Sequence, residues 1–380
     1  MPISRRNLIR QFGAGVAATA ALPSLTEFAF GAGMALPEVS RSTGPVILSR
    51  NENAYGASEK VVAAMREVVH TANRYPLAQD DELLDRIAAL HGVKSDRIIF
   101  GCGSSEILTT AVASFAGRGK KIITATPTFE LPGHTAQIEG SEVITVPLNK
   151  SFAHDLGAML AKADASTGLV YICNPNNPTA SITPRAEIED FLQKLPRTAM
   201  VLIDEAYHHF VSPTASYASF IDKPVDDDRL IVARTFSKVY GLAGIRVGYA
   251  VASPEVAQKL SARCIPAGVN LAAAVAAVSA LEDQAFVRAC VKSNAENRQE
   301  FFKQAGARKL AMIDSQANFV MMNAQRPAVE MIEHFKKNGV LIGRPFPPLN
   351  NYVRVTLGKT NEMAEFWRVW DLAPGQKMGM

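Results

Sequence analysis

Apolar residues in this chain fall into short unbroken runs, separated by longer stretches where they recur every three or four positions. The runs lie at 97–100, 121–125, 143–146, 169–173, 200–203, 230–233 and 246–251. Runs this short, without polar alternation, read as strands buried on both faces. Helical spacing appears between most of them. Before the first run, Val61, Val62, Met65, Val68 and Val69 predict a helix over 58–71, and Leu83, Leu84, Ile87 and Leu90 predict another over 80–91. Arg74-Tyr75-Pro76 separates the two, because proline disfavours the helical conformation at the residue before it. Strand and helix alternating in this way predict βαβ crossovers and a largely parallel sheet covered on both sides. Binding sites in such sheets form at the carboxyl ends of the strands. Further on, an Ala-rich helix over 270–280 leads into a long polar helix reaching about residue 305. That helix is expected to cross to a smaller α/β domain with strands at 317–322 and 352–357 and helices at 328–338 and 361–370.

Composition narrows the function classes. The 380 residues are 48% hydrophobic and 20% charged, enough for two domains with sizeable cores. Net charge is +4 and no basic run carries interleaved aromatics, so nucleic acid is not an expected partner. Cysteines 102, 173, 264 and 290 match no metal spacing and leave the disulfide state open. His208 and His209 lack companion ligands, so no metal is expected. No segment approaches ~18 unbroken apolar residues, so no stable membrane span is expected. The first 33 residues stand apart: Ser4-Arg-Arg-Asn-Leu-Ile-Arg10 precedes the weakly apolar Gly13-Ala-Gly-Val-Ala-Ala-Thr-Ala-Ala21. This pattern resembles a twin-arginine export signal. It predicts an exported, periplasmic protein; the alternative is a basic amphipathic helix on a cytoplasmic one.

The candidate chemistry centres on Ser237-Lys238, just past the run 230–233, with Arg246 eight positions after the lysine. A lysine amine in a partly dry pocket near other cations loses basicity and becomes a nucleophile toward a carbonyl. A hydroxyl and a guanidinium nearby suit a phosphate dianion. An aldehyde and a phosphate together describe pyridoxal 5'-phosphate. Alone, Ser-Lys fits a surface lysine in a Gly-rich loop better than a cofactor site, and the other motifs reverse that reading. Gly101-Cys-Gly-Ser-Ser-Glu106 follows a strand and opens a helix, offering backbone N–H groups and the hydroxyls of Ser104 and Ser105 to an anion. Glu106 is expected to face away from that anion. Phe129, after the next strand, could stack on a cofactor ring or belong to the core. Asn174-Pro-Asn-Asn-Pro-Thr179 fixes a turn that presents Asn177, and Val201-Leu-Ile-Asp-Glu-Ala-Tyr207 sets Asp204 at the end of an apolar strand. A buried carboxylate must be paired or protonated, and a protonated pyridine nitrogen is one such partner. Tyr207 could donate to the ring's phenolic oxygen, while Glu205 reads as structural. Arg354, inside Asn351-Tyr-Val-Arg-Val-Thr-Leu-Gly358, is a candidate carboxylate or phosphate anchor, with Arg344 a weaker one; an interdomain ion pair is the other reading.

These motifs, with Asn51-Glu-Asn-Ala-Tyr-Gly56 and Arg74-Tyr-Pro76, resemble in order and over about residues 45–372 a class I/II aminotransferase of fold type I, on the histidinol-phosphate aminotransferase branch. The resemblance implies an α/β fold with a mostly parallel seven-stranded sheet in a large domain and a smaller α/β domain. The expected division is an export signal at 1–33, an N-terminal arm at 34–60 that joins the small domain, a large cofactor domain at 61–280, and the interdomain helix with the small domain at 281–380. It implies that Lys238 carries pyridoxal phosphate, Asp204 pairs with the pyridine nitrogen, and Asn177 and Tyr207 bind the phenolic oxygen. Gly103, Ser104, Ser105, Ser237 and Arg246 would hold the phosphate, and Phe129 would stack on the ring. Tyr75 would reach the cofactor of a second subunit, implying a homodimer; Tyr55, Arg354 and Arg344 would meet the amine and 2-oxo acid substrates. The chain departs from the family's usual pattern at Cys102, Ser105, Ala180 and Pro266-Ala-Gly-Val-Asn270, which leaves the substrate open. Transamination is the leading reaction; a decarboxylase, lyase or racemase on the same scaffold, or a non-catalytic cofactor-binding module, are the alternatives.

Overall fold

The computed structural model describes residues 44–213 and 216–374. The proposed export signal and the first ten residues of the expected arm lie outside them. The described elements are β1 (Val46–Leu48), α1 (Glu59–Val68), α2 (Leu77–His91), β2 (Ile98–Gly101), α3 (Ser104–Phe115), β3 (Lys121–Thr126), α4 (Leu131–Ile138), β4 (Glu142–Pro147) and α5 (Leu156–Leu160). They continue with β5 (Thr167–Cys173), α6 (Arg185–Lys194), β6 (Met200–Asp204), β7 (Leu230–Thr235), β8 (Gly248–Ala252), α7 (Pro254–Ser261), α8 (Leu271–Glu282) and α9 (Gln284–Ala307). The last are β9 (Met312–Ile313), β10 (Phe319–Asn323), α10 (Ala328–Lys337), β11 (Val340–Ile342), β12 (Tyr352–Thr356) and α11 (Thr360–Asp371).

The main sheet has seven strands in the order β2-β8-β7-β6-β5-β3-β4. All pair in parallel except β8, which runs antiparallel to β2 and β7. Residues of β5, β6 and β7 alternate between two cores. Val170, Ile172, Val201, Ile203 and Val232 meet the helices α1, α2, α6 and α8, while Leu169, Tyr171, Leu202, Ile231 and Ala233 meet α3, α4 and α7. The two-residue period therefore sets Tyr171, Cys173, Leu202 and Asp204 on one face. Because both faces are covered, the strands need no polar side and read as unbroken apolar runs.

A second, three-stranded antiparallel sheet has the order β12-β10-β9, and β1 pairs in parallel with β11. Its core includes Phe335 stacked on Phe366 at 4.8 Å, with Trp367 and Trp370 against them. Burying each such ring is worth about 1.5–3 kcal/mol. Helix α9 links the two cores, inserting Phe286, Val287 and Cys290 into one and Phe301 and Ala305 into the other.

Several element ends differ from the sequence expectation for local reasons. The first helix stops at Val68 and tightens into a 3₁₀ turn over Val69–Thr71. The second starts at Leu77, earlier than 80, because Pro76 sits at its N-cap where a missing N–H costs nothing. The strand expected from 246 starts at Gly248, since Arg246 has φ +67, outside the strand region. Along β12 the side chains alternate, so Val353 and Val355 enter the small core while Arg354 faces the opposite way, buried against Phe346 and Asn177.

Candidate active site

The carboxyl ends of β3, β5, β6 and β7 and the start of α3 line a cleft of about 800 Å³. Lys238 is at its floor. After β7 the chain turns tightly, with Gly241 N–H donating to the Lys238 carbonyl. Gly241 has φ +70, and a Cβ there would lie 2.0 Å from the Gly56 carbonyl oxygen, so the loop docks closely on the 50–57 segment. Asn53 Nδ2 adds a bond to the Val239 carbonyl at 2.8 Å, and Lys238 Nζ donates to the Arg50 carbonyl at 3.4 Å. Half-buried and short of strong acceptors, Lys238 is pushed down to about 8, first by desolvation and next by the charge of Arg354. An appreciable share of the amine is thus neutral near physiological pH.

Asp204 ends β6 and is buried. Its Oδ2 accepts from the Tyr171 hydroxyl at 3.0 Å and its Oδ1 from the Ala206 N–H at 3.1 Å. Burial pushes the carboxyl up to about 6, and the Tyr171 bond opposes that rise. Glu205 turns the other way, accepting from Ser219 Oγ at 2.7 Å, the Phe220 N–H at 2.8 Å and Arg234 Nε at 3.1 Å. The Tyr207 hydroxyl accepts from Asn51 Nδ2 at 3.1 Å, leaving its own proton to give, and burial holds its pKa well above the ordinary phenol value.

An anion cradle forms beside the lysine. Gly103, with φ +77, is the N-cap of α3, and Ser104 and Ser105 open that helix. A Cβ on Gly103 would lie 2.1 Å from Arg246 Nη2, and one on Gly248 would lie 2.3 Å from the Ser104 backbone nitrogen. Two bare glycines therefore let the guanidinium and the helix start converge. Arg246 Nη1 also reaches Ser237 Oγ at 3.3 Å and the Ala243 carbonyl at 2.8 Å. Glu106 turns back on its own loop, its carboxylate accepting from the Cys102 and Ile265 N–H groups.

Arg354 reaches the cleft from the small sheet. Its Nη1 donates to Asn177 Oδ1 at 2.6 Å and its Nη2 to the Ser49 carbonyl at 2.7 Å, while Nε is buried without a partner. With Oδ1 so engaged, Asn177 offers its amide N–H₂ to a ligand. The guanidinium lies 4.6 Å over the Phe346 ring, and burial lowers its pKa to about 10. Arg344 stands at the cleft wall, half exposed, in an ion pair with Glu130. Phe129 lines the cleft too. Tyr55 and Tyr75 are not among the residues lining it. Tyr55 meets α9, where Asn297 Nδ2 approaches its hydroxyl at 3.4 Å, and Tyr75 is 82% exposed. Sequence reasoning missed the roles of Asn51, Tyr171 and Glu130. Asn51 stood inside a quoted motif, but its bond to a tyrosine 156 positions away has no local signal.

Among the described residues no three His, Cys, Asp or Glu groups are placed to hold a metal, and no helix is long and apolar enough to cross a membrane. All four cysteines are free thiols. Ala180 has φ +59 where the related pattern favours glycine, a strained conformation for a side chain with a Cβ.

The cleft fits pyridoxal phosphate on its own geometry. A lysine of lowered basicity suits an aldehyde, a buried carboxylate suits a ring N–H, and a glycine-opened helix start with an arginine suits a phosphate. The family model for aminotransferase class I and II matches residues 43–368. The chain belongs to this family. It is an enzyme, a pyridoxal-phosphate-dependent aminotransferase of fold type I. The aminotransferase is 36% identical over 341 residues to a histidinol-phosphate aminotransferase of Moorella thermoacetica, covering 88% of each chain. Among solved structures it superposes on a putative histidinol-phosphate aminotransferase of Erwinia carotovora atroseptica with TM-score 0.81 at 34% identity, covering 86% of this chain and 94% of that one. The histidinol-phosphate aminotransferase of Sinorhizobium meliloti, solved with pyridoxal-5'-phosphate, gives TM-score 0.80 at 27% identity, covering 87% and 90%.

Proposed function

We propose that this aminotransferase moves an amino group between a 2-oxo acid and a primary amine bearing a carboxylate or a phosphate. The observation that carries the reading is Lys238, its pKa lowered to about 8, in a cleft it shares with Asp204, Arg246 and Arg354. Lys238 would carry the cofactor, Asp204 would hold the ring nitrogen, and Tyr207 and Asn177 would hold the phenolic oxygen. Gly103, Ser104, Ser105, Ser237 and Arg246 would hold the phosphate, with Phe129 against the ring. When bound, pyridoxal phosphate supplies an electron-withdrawing ring that accepts the electron pair left as the substrate C–H bond breaks. The Lys238 amine would take up the proton lost from the substrate carbon and deliver it to the cofactor carbon across the shared nitrogen. Arg354 grips the anionic handle and fixes its distance from Lys238.

Relatives named for histidinol phosphate favour a phosphate-bearing amine as one substrate. Single-turnover mixing of loaded enzyme with histidinol phosphate, L-glutamate and histidinol, which lacks an anionic group, tests the class. The anion-bearing amines should react at least about 30-fold faster than histidinol, the worth of one strong charged contact. A loaded enzyme that converts no amine, or histidinol equally well, would contradict the reading.

We further propose a homodimer. Its support is the exposure of the large apolar residues Val69 and Tyr75, which line one groove with Ala267 and Leu271, and sedimentation at the mass of a single chain would remove it. The expected arm at 34–60 and the division at 280/281 remain part of the proposal; pairing of β1 with β11 supports the arm. Export through residues 1–33 is likewise proposed. Replacing Arg5 and Arg6 by lysine should keep the protein in the cytoplasm while preserving the charge. Unchanged secretion would show the segment is not read as an arginine pair.

A further inference from the structure

We propose that Tyr171 is a positioning residue for the cofactor, its buried hydroxyl holding the Asp204 carboxylate in line for the pyridine nitrogen. The proposal rests on the pyridoxal-phosphate reading above. Tyr171 is on β5, where Cys173 pairs with Asp204 across the ladder, so the tyrosine is the diagonal neighbour two residues back on the same face. It is 0% exposed and belongs to an apolar cluster with Ile99, Leu202 and Ile231. A phenylalanine would fill that space without burying a hydroxyl. The hydroxyl donates to Asp204 Oδ2 at 3.0 Å, with the Cys173 thiol also against it, and the bond to the carboxylate offsets the cost of burial.

The Ala206 N–H occupies Oδ1 at 3.1 Å, so each carboxylate oxygen keeps one donor and a free lone pair. The carboxylate is thereby fixed in rotation before any ligand arrives. A donor to a carboxylate also favours its ionised form, which the ring N–H needs as acceptor. The charged and titratable groups facing Asp204 are Tyr171 and Cys173 from β5, Glu205 and Tyr207 from its own strand end, and Lys238 from the loop after β7. Burial and Glu205 work against ionisation, and Tyr171, the Ala206 N–H and Lys238 work for it. Removing the Tyr171 hydroxyl should therefore raise the pH at which Asp204 takes up a proton.

The test is equilibrium dialysis of the loaded full-length enzyme and its Tyr171→Phe variant across a series between about pH 5 and pH 8. The variant should release pyridoxal phosphate with a Kd about tenfold higher at the alkaline end. The acid limb of retention should move up by about one pH unit. The cofactor's own phosphate also titrates in this range, but identically in both proteins, so the difference between the limbs reports Asp204. Site-specific 3-fluorotyrosine at position 171, a more acidic phenol and stronger donor, should shift the limb down. A Tyr171→Phe variant that loses thermal stability with no movement of the limb would overturn the proposal, as would a fluorinated enzyme that moves in the same direction as the phenylalanine variant. A parent enzyme that retains no pyridoxal phosphate at any pH would instead overturn the function on which it rests.

Discussion

Replacing Lys238 by alanine should lower transamination turnover by roughly 10⁴-fold, the upper range for a positioned acid–base group. The loss should be this large because the lysine has two roles that no neighbour duplicates. It is the amine in the cleft, pushed down to about 8 by desolvation and by Arg354, so that an appreciable share is neutral and nucleophilic near physiological pH. In the proposed reaction it would also carry a proton from the substrate carbon to the cofactor carbon. Fold should be preserved, since Lys238 contributes one long hydrogen bond of 3.4 Å and the loop is held independently by Asn53 and Gly241. Steady-state assay of the variant beside a thermal melt separates the two. A loss below about tenfold with an intact melt would place the chemistry on another residue.

The second large effect is expected at Arg354. Arg354→Lys should lower kcat/KM for both half-reactions by about 30- to 150-fold, or roughly 2–3 kcal/mol. The guanidinium spans Asn177 Oδ1 and the Ser49 carbonyl at once and still has a buried Nε without a partner. An ammonium on a flexible stem cannot hold both and offer a planar pair of donors to a carboxylate. Because Arg354 also orients the Asn177 amide, the variant should loosen the cofactor's phenolic oxygen slightly, visible as a small change in cofactor absorbance. If only one half-reaction suffers, Arg344 anchors the other substrate, and it must first leave Glu130. If neither suffers, Arg354 is a structural tie between the small sheet and the Asn177 turn.

Much of this was legible in the sequence, for identifiable reasons. Strands buried on both faces leave apolar runs, and β5, β6 and β7 do so over nearly their whole lengths. Residues such as Asp204 and Lys238 follow those runs directly, so their placement at the strand ends could be read from position alone. What escaped was set by partners distant in sequence. The three-residue strand β11 exists because β1 pairs with it, nearly 300 residues away, and Val340-Leu-Ile has no period of its own. Arg246 looked like the first residue of a strand because the apolar pattern continues through it, whereas contact with Gly103 and Ser237 holds it at positive φ. Tyr171 looked like one more aromatic in a core strand. Its hydroxyl acquires a purpose through the β5–β6 register, which no local pattern encodes. Tyr55 was expected to meet substrate and does not line the cleft, while Tyr75, expected at the cofactor of a second subunit, is exposed.

The most direct test of the central claim is borohydride reduction of the purified enzyme, followed by proteolysis and mass mapping of the pyridoxyl label. Reduction should fix one pyridoxyl group per chain, on the peptide containing Phe236-Ser-Lys238-Val239, and abolish the visible absorbance of the cofactor. Label recovered on any other lysine, or no label on an enzyme that still transaminates, would contradict it.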